Sequence, residues 1–224
     1  MPYRNTIRNF QKDGIYHIYN KRDKDKNLFL DEEDYKIFYY YLYIYAAPID
    51  LITKTYPHVP KRFYAKNLSS EVEILSYCLM PDHFHLFIKQ NTADGITKLI
   101  RQLMNAYTAY FNTKHNNHGS LTRGRFRSIM LISEDDVLEI SRYIHLNPRI
   151  SGLTSNILND KWSSISDYVN NKKPKKLVKT QYIVSRFKDG KEYIKFLEDY
   201  EGFAREINKI KHLALEPITD GPLK

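Results

Sequence analysis

Two short apolar segments joined by a tight turn place the strongest constraint on how this chain folds. Residues 71–79 and 83–89 carry apolar side chains at strand spacing, and a proline–aspartate pair separates them. This pattern predicts an antiparallel hairpin. In its second strand His83 and His85 flank Phe84. Because side chains alternate across a strand, both imidazoles should share one face while the phenyl ring points to the other.

Two imidazoles on one sheet face are the beginning of a divalent metal site, since neutral imidazole is a common metal ligand. A His-x-His strand also occurs as an ordinary half-buried strand whose polar residues face water. Two histidines do not complete a metal site. The metal interpretation therefore depends on what other segments of the chain bring to the same face.

The hydrophobic patterns along the chain predict the element order β-α-β-β-α-β-α. Besides the hairpin, the predicted elements are a strand over 14–19, a helix over about 31–46, a long helix over about 96–114, a strand over 128–132 and a helix over about 135–146. The last helix should end before Pro148, because the residue preceding a proline avoids the α region. The order favours an α+β fold with a ferredoxin-like antiparallel sheet, its first and third strands central and its helices on one face.

The chain divides into a predicted domain over residues 1–155 and a predicted helical C-terminal extension over residues 156–224. The extension contains a basic linker at residues 172–176, which could grip a DNA stem or serve only as a connection. Residues 47–70 carry three prolines and several basic side chains. We expect this segment to be an irregular insertion with a short β segment at its start.

The net charge of +9 and the isoelectric point of about 9.3 favour a polyanionic partner, most simply nucleic acid. Solubility or a basic membrane-facing patch would also account for the charge. The single cysteine rules out a disulfide framework within the chain, which indicates an intracellular protein. The N-terminus is not a signal peptide, and no apolar run reaches the length of a bilayer span.

Tyr143 and Asn147 lie four residues apart near the end of the last predicted helix, so they share one helix face. Asn147 offers a carbonyl oxygen, a hard ligand suited to magnesium or manganese, and Tyr143 offers a phenol that can act as a nucleophile. His145 falls on another face and is expected to be a packed or surface histidine. Of the nineteen tyrosines, Tyr107 and Tyr110 are the next candidate nucleophiles, although core packing or base stacking also accounts for them.

Three motifs together resemble the single-tyrosine transposases of the IS200-like group, and most closely the REP-associated tyrosine transposases. The motifs are MPDHFHL at residues 80–86, GSLTRGRF at residues 119–126, and YI-x-x-NP at residues 143–148. The sequence WSS at residues 162–164 also matches the REP-associated branch. Three motifs in this order and spacing are far more specific than any one of them.

The resemblance implies a fold of the HUH endonuclease type and a DNA strand transferase. By the motif match, His83, His85 and Asn147 hold a divalent ion, Mg²⁺ or Mn²⁺. Tyr143 is the nucleophile that forms a 5′-phosphotyrosine link with single-stranded DNA near a hairpin. Some relatives use glutamine as the third ligand, and Asp82 stands where asparagine is frequent.

Basic residues near these motifs are the predicted DNA contacts. They are Lys21, Arg22, Arg123, Arg125 and Arg127, with Phe126 as a ring that could stack on a base. The expected partner is single-stranded DNA that carries a hairpin. We expect a cytoplasmic, nucleoid-associated protein that acts as a monomer or a homodimer and has no membrane partner.

Three other functions compete with the transposase. The first is a hairpin DNA- or RNA-binding module that has lost its catalytic activity, against which the four intact site residues argue. The second is a replication or mobilisation nuclease with the same kind of metal site, but such proteins often carry a helicase, and this chain has no phosphate-binding loop of the GxxxxGK[ST] type. The third is a metal-dependent hydrolase of small phosphates, which does not fit the positive charge.

Overall fold

The computed structural model describes residues 10–22, 26–122, 124–169 and 177–199. Its centre is a four-stranded antiparallel sheet in the order β2-β3-β1-β4. The strands are β1 (Ile15–Lys21), β2 (Val72–Met80), β3 (His83–Gln90) and β4 (Arg127–Leu131). The helices are α1 (Glu32–Ala46), α2 (Ile49–Thr55), α3 (Gly95–His115), α4 (Glu134–Ile150), α5 (Ile165–Val169), α6 (Gln181–Val184) and α7 (Gly190–Glu198), and 3₁₀ turns cover Lys61–Lys66 and Ile157–Asn159.

The strand order confirms the ferredoxin-like sheet, with β1 and β3 in its centre. Cross-strand pairing fixes which side chains share a face, because directly opposed residues point the same way. His85 pairs with Tyr19 on β1 and with Cys78 on β2, while His83 pairs with Lys21. These residues therefore form one face of the sheet, which we call the histidine face.

Helices α1 and α3 pack on the opposite face. The Phe84 ring lies 5.2 Å from the Phe38 ring of α1, and Phe38 in turn lies 5.1 Å from Tyr107 of α3. All three side chains are fully buried. The prediction that Phe84 points into the core, away from the two histidines, is confirmed.

Helix α4 lies on the histidine face, so the expectation that all helices share one face of the sheet is wrong. The helix is amphipathic, and it covers the face that α1 and α3 leave open. The Tyr143 ring of α4 lies 5.4 Å from the His85 ring. The sequence pattern predicts that this helix is amphipathic but not which side of the sheet it covers, because either side would bury an apolar stripe.

The prediction that this helix ends at Leu146 is also wrong, because α4 continues through Pro148 to Ile150. Pro148 lacks the N–H that would bond to the carbonyl group of Ile144, but it stands in the last turn, where only one helical bond is lost. The backbone N–H of Ser151 still donates to the carbonyl oxygen of Asn147, at 2.9 Å. Asn147 therefore stays helical and holds its position one turn after Tyr143.

The two helix starts predicted from acidic residues are confirmed. Asp31 caps α1 by accepting the backbone N–H of Asp34, at 3.1 Å, and Ser133 caps α4 by accepting that of Asp136, at 3.0 Å. Three acidic residues occupy the first turn of each helix, where they stabilise the positive end of the helix dipole.

The insertion at residues 47–70 contains α2 and a 3₁₀ turn, so the predicted β segment at its start is wrong. Ile52 is fully buried, and this packing favours a helix over an exposed strand. The insertion is fastened to α1 at two places. The Tyr43 hydroxyl lies 3.0 Å from Thr55 Oγ1, and the Asn67 amide donates to the carbonyl oxygens of Ile44 and Ala47.

Segments that follow α4 cover the outer edge of β2. The backbone N–H of Leu79 donates to Trp162, and that of Ser164 donates to Tyr77. An edge strand that is paired in this way no longer offers free backbone groups to other chains. The predicted basic linker at residues 172–176 lies outside the described residues. Among the described helices, none combines the length and the apolar character needed to cross a bilayer.

Candidate metal and nucleophile site

The four residues proposed from the motifs meet on the histidine face. Strand β3 carries His83 and His85, whose ring centroids lie 4.8 Å apart, and α4 places Tyr143 and Asn147 against them. The Asn147 side-chain nitrogen lies 3.4 Å from His85 Nε2. All four side chains are at most 4% exposed. The two side chains spaced one turn apart on α4 therefore meet the two side chains spaced two residues apart on β3 in one buried place.

A third histidine holds His85 in place. His17 Nε2 of β1 lies 2.8 Å from His85 Nδ1, and both rings are fully buried. This hydrogen bond leaves His85 Nε2 directed toward Asn147. Burial, together with the neighbouring His83 and His17, holds the pKa of His85 well below its ordinary value. His85 is therefore neutral at neutral pH, which is the form that can bind a metal.

A carboxylate holds His83 in the same manner. Asp82 Oδ1 lies 2.5 Å from His83 Nδ1, and Asp82 Oδ2 forms an ion pair with Lys21 at 2.8 Å. Burial alone would raise the pKa of Asp82, but the hydrogen bonds to His83 and Lys21 outweigh it and hold that pKa well below its usual range. The charged carboxylate fixes the imidazole and leaves Nε2 as its free nitrogen, which is the usual second-shell arrangement of a metal-binding histidine.

The unpartnered atoms of this site fit a metal ion. Among the described residues, neither His83 Nε2 nor Asn147 Oδ1 has a hydrogen-bond partner, although both atoms are buried. A buried polar atom without a partner costs about 1–3 kcal/mol. A divalent ion would accept lone pairs from His83, His85 and Asn147 together. Two imidazole nitrogens and one amide oxygen form a donor set suited to such an ion.

The competing tyrosines lie elsewhere. The Tyr107 hydroxyl donates to the carbonyl oxygen of Leu28 on the opposite face of the sheet, at 2.6 Å. The Tyr110 hydroxyl donates to Asp34, also away from the histidines. Besides Tyr143, the Tyr19 ring lies against His85, with a centroid distance of 6.2 Å. Tyr143 is the tyrosine that combines contact with His85 and the shared helix face with Asn147.

The sequence interpretation missed His17 and Tyr19, although the sequence contained a signal for both. They lie two residues apart on the predicted first strand and therefore share one face, and the ferredoxin-like order places that strand beside the histidine strand. A histidine on a strand whose neighbours are apolar needs a polar partner when it is buried. That requirement could have directed attention to a contact between His17 and His85.

The predicted DNA-contact residues lie in different surroundings. Lys21 forms the ion pair with Asp82 at the rim of the histidine site. Arg22 is partly exposed; its guanidinium lies 4.6 Å from the Phe111 ring centre and donates to Asn27 and Asn117. Arg125 is exposed, and the partly exposed Arg127 lies on the histidine face, where its guanidinium is 6.0 Å from the Tyr19 ring centre. Arg123 lies outside the described residues.

Phe126 is not available to stack on a base, as the sequence interpretation had proposed for it. Its side chain is 6% exposed, and its ring stacks on Phe10 with a centroid distance of 6.4 Å. The alternation of arginines with one phenylalanine gave no information on which side of the chain faces the core. In the structure, the phenylalanine faces inward while Arg125 remains at the surface.

His145 is a packed residue outside the metal site, as expected. Its Nδ1 lies 2.7 Å from the Tyr193 hydroxyl of α7, and its Nε2 lies 2.8 Å from Ser164 Oγ. Burial lowers the pKa of His145 to about 3, so the ring stays neutral. This pair of hydrogen bonds ties α4 to the segments that follow it.

A second group of ligand-type side chains lies where α1 begins and α3 ends. Asp31, Asp34 and His115 bring their ligand atoms within 4.8 Å of one another. The Lys114 ammonium group lies within this group, 2.8 Å from Asp31 and 3.2 Å from Asp34. His115 Nε2 lies 2.9 Å from Asp34. A protein cation thus already occupies the position between the two carboxylates.

Comparison with known proteins supports the interpretation from the motifs. The family described as "Transposase IS200 like" matches residues 50–147, a range that contains both histidines, Tyr143 and Asn147. No curated protein matches the chain. A solved structure of a REP-associated tyrosine transposase bound to a REP hairpin shares the fold, with a TM-score of 0.53 and 16% sequence identity over 74% of this chain and 84% of that one. The match supports a transposase type of function, and over residues 50–147 this chain is similar to the IS200-like transposases.

Proposed function

We propose that this protein nicks and rejoins single-stranded DNA beside a hairpin through a covalent link to Tyr143. One observation carries the proposal. Tyr143 and Asn147, one turn apart on α4, lie against His85, at the point where Asn147 Oδ1 and His83 Nε2 are buried without a partner among the described residues. A nucleophile beside three ligand-type side chains, two of them with an unsatisfied atom, suits attack on a phosphodiester.

The chemistry begins with the Tyr143 phenol, which loses its proton and attacks the phosphorus atom. The new bond joins the tyrosine oxygen to the phosphorus, the bond to the 3′ oxygen breaks, and that oxygen takes up a proton to become a free 3′-OH. The product on the enzyme is a 5′-phosphotyrosine. Because the phosphate remains in an ester, a 3′-OH from another strand end can reverse the step and join the strands without ATP.

A bound divalent ion would supply charge neutralisation at the reacting phosphate. His83, His85 and Asn147 would hold the ion, Mg²⁺ or Mn²⁺. His17 fixes the orientation of His85, and Asp82 fixes that of His83. A free phenol has a pKa of about 10, so the proton of the tyrosine must leave as the attack proceeds.

DNA contacts are proposed for the basic residues around the histidine face. Lys21 lies directly opposite His83, and Arg127 stands two strands from His85, about 10 Å away at the usual strand spacing. Both can reach phosphates on either side of the bond that is cut. Arg125 lies at the surface nearby, and Arg22 and Arg123 complete the set proposed from the sequence.

A strand can reach Tyr143 only when the residues that cover it move aside, because its side chain is 2% exposed. The described C-terminal segments pack on another side of α4, where His145 lies within hydrogen-bond distance of Tyr193 and Ser164. We propose that residues 1–155 form the catalytic domain and that residues 156–224 form a C-terminal extension, whose described residues Ser164 and Tyr193 contact α4.

Covalent capture tests the proposal. Labelled single-stranded oligonucleotides with hairpins from beside the gene are incubated with the protein and Mg²⁺ or Mn²⁺, then separated on a denaturing gel. A shifted, protease-sensitive band that requires the metal is expected from the parent protein and should be lost in Tyr143→Phe and in His83→Ala. Tyr110→Phe is the matched control, because its hydroxyl contacts Asp34 instead of the histidines, and it should form the adduct.

Two results would contradict the proposal. An adduct in Tyr143→Phe that disappears in Tyr19→Phe would move the nucleophile to β1. Tight binding of the hairpin with no adduct on any strand would indicate a hairpin-binding module without catalytic activity.

A further inference from the structure

A row of aromatic rings crosses the outer side of α1 and the insertion that follows it. The rings belong to Phe63, Tyr41, Tyr40 and Tyr56, and the successive centroid distances are 6.5, 5.5 and 5.0 Å. Each of the four side chains is partly exposed. We call this row the aromatic strip. It lies beyond α1, on the side of the sheet opposite the histidine site.

Four cations flank the aromatic strip. The Arg62 guanidinium lies 5.3 Å from the Phe63 ring centre, and Lys61 and Lys66 belong to the same 3₁₀ turn. Lys54 stands at the end of α2, two residues before Tyr56. All four cationic side chains are exposed.

The charges of these four residues are not neutralised inside the protein. In the described parts of the chain none of them forms an ion pair, whereas Lys114 alone contacts three carboxylates. Asp50 is the one acidic residue between positions 47 and 70. Like charges held close together repel one another, so an anionic partner would relieve a repulsion that the fold leaves in place.

The aromatic strip is held rigidly in its position. The Asn67 amide bridges two carbonyl oxygens at the end of α1, at 3.0 and 2.8 Å, and the backbone N–H of Leu68 donates to Tyr45 at 2.7 Å. Tyr43 and Thr55 form a further hydrogen bond between α1 and α2. A surface that is already ordered loses little conformational entropy when a ligand binds.

Exposed aromatic rings beside unpaired cations suit one class of partner. Duplex DNA keeps its bases stacked inside and offers mainly phosphates, so partly exposed rings would add nothing to its binding. Unpaired bases can stack on tyrosine and phenylalanine rings while the phosphates contact lysine and arginine. We infer that the aromatic strip, with Lys54, Lys61, Arg62 and Lys66, binds single-stranded DNA. The inference rests on the proposed function only in its choice of DNA over RNA.

The strip adds a second DNA contact to the one at the histidine site. A strand held there would be anchored away from the reacting phosphate, so that a segment flanking the hairpin stays bound while the cut end is free. The strip therefore affects the affinity of the protein for long single strands, and the histidine site affects bond cleavage. The two roles can be separated by measurement.

Fluorescence anisotropy with labelled oligothymidylate, in a Tyr143→Phe background that forms no adduct, measures this binding. Lys61→Gln/Arg62→Gln should weaken binding roughly tenfold and lower the slope of log affinity against log salt by about 1.4, which corresponds to about 0.7 for each lost phosphate contact. Tyr41→Leu removes the ring between Tyr40 and Phe63 and should weaken binding roughly fivefold. Lys54→Gln/Lys66→Gln provides an independent second charge variant.

The matched control is Lys191→Gln/Lys195→Gln, which removes two exposed lysines from α7 and should bind as its parent does. Thermal melts followed by circular dichroism verify that each variant is folded. The inference is overturned if both folded charge variants bind oligothymidylate as tightly as their parent. It is also overturned if the charge variants lose as much affinity for a blunt-ended hairpin as for the single strand. A third contrary result would be that the parent binds oligouridylate more tightly than oligothymidylate and that the variants lose as much affinity for it.

The adduct assay on the protein with Tyr143 intact separates this inference from the proposed function. A parent protein that binds single strands through the strip but forms no adduct would contradict the catalytic proposal alone. A protein that forms the adduct but is unaffected by the strip variants would contradict the strip alone.

Discussion

Two buried polar clusters lie on opposite sides of the sheet, and they differ in how their atoms are satisfied. Around Asp34, both carboxylate oxygens accept hydrogen bonds, from the backbone N–H of Leu30 and from Lys114, His115 and Tyr110. Around His85, two ligand-type atoms of the described residues, His83 Nε2 and Asn147 Oδ1, have no partner. Both clusters contain histidine and oxygen ligands.

The difference distinguishes the structural cluster around Asp34 from the proposed functional cluster around His85. Asp34, fully buried, completes its coordination with protein donors and fastens the start of α1 to the end of α3. The histidine site keeps ligand atoms unsatisfied at a cost in stability, which an ion or a substrate would recover. Geometry alone would group Asp31, Asp34 and His115 as a metal site. The hydrogen bonds of the individual atoms indicate a structural cluster instead, because a lysine already lies between the carboxylates.

Asn147→Ala tests the functional half of this comparison, and it should give the largest effect. The substitution removes a proposed metal ligand, so adduct formation should fall on the order of 10³-fold, beyond the tenfold to hundredfold effect of losing a residue behind a ligand. The unfolding free energy should change by less than about 1 kcal/mol, because Asn147 Oδ1 has no described partner to lose and Asn147 Nδ2 makes only a long contact with His85, at 3.4 Å. Gel-based adduct rates and urea unfolding measure the two quantities.

Asn147→Gln serves as the matched variant, since it keeps an amide oxygen and glutamine takes this position in some relatives. It should retain measurable adduct formation. If Asn147→Ala lowers stability strongly and leaves the adduct rate unchanged, Asn147 is a structural residue and the comparison fails.

Asp34→Asn tests the structural half. The amide can no longer neutralise Lys114, so the unfolding free energy should fall by about 3 kcal/mol, as when one partner of a buried charge pair is removed. The adduct rate per folded molecule should not change. Urea unfolding gives the free energy, and Asp94→Asn, at the exposed Lys98–Asp94 pair, should leave the midpoint nearly unchanged. Equal effects of the two substitutions would show that the Asp34 cluster contributes no more than a surface pair.

The difference in unfolding free energy between the parent and Asp34→Asn should depend on pH in a predictable direction. Burial alone would raise the pKa of Asp34, but hydrogen bonds from His115, Leu30 and Lys114 outweigh it and bring that pKa below the ordinary value of 3.8. A lowered folded-state pKa stabilises the protein above the unfolded-state pKa, and this stability is lost as the pH falls through the folded-state value. The difference between parent and Asp34→Asn should therefore be constant near neutral pH and shrink below about pH 4.

Local rules predicted the strands, the caps and the histidine pair. The period of two along β3 placed His83 and His85 on one face, and the acidic first turns of α1 and α4 fixed where these helices begin. These features depend on a few neighbouring residues. The fold class followed from the order of such elements, and the sheet topology confirms it.

Features that depend on distant contacts could not be predicted in this way. Either face of the sheet could bury the apolar stripe of α4, and the helix continues through Pro148 to Ile150 although a proline usually marks a helix boundary. The role of His17 depends on the pairing of β1 with β3, which places it beside His85. Phe126 turns inward because Phe10 provides a partner ring that lies far away in the sequence.

His17→Ala should give the smallest of these effects and sharpen the comparison most, because it changes only the support of a ligand. Without the hydrogen bond between His17 Nε2 and His85 Nδ1, the imidazole loses its fixed orientation, and Mn²⁺ affinity should fall roughly tenfold to a hundredfold. Calorimetric titration with Mn²⁺ measures this without any DNA. His17→Gln keeps an amide that can bond to either tautomer of His85 and should recover part of the affinity. His118→Ala removes an exposed histidine outside the site and should bind Mn²⁺ as the parent does. If His17→Ala binds Mn²⁺ as tightly as the parent, packing alone orients His85. The unsatisfied ligand atoms would then distinguish the proposed metal site without any contribution from the hydrogen bonds that support its ligands.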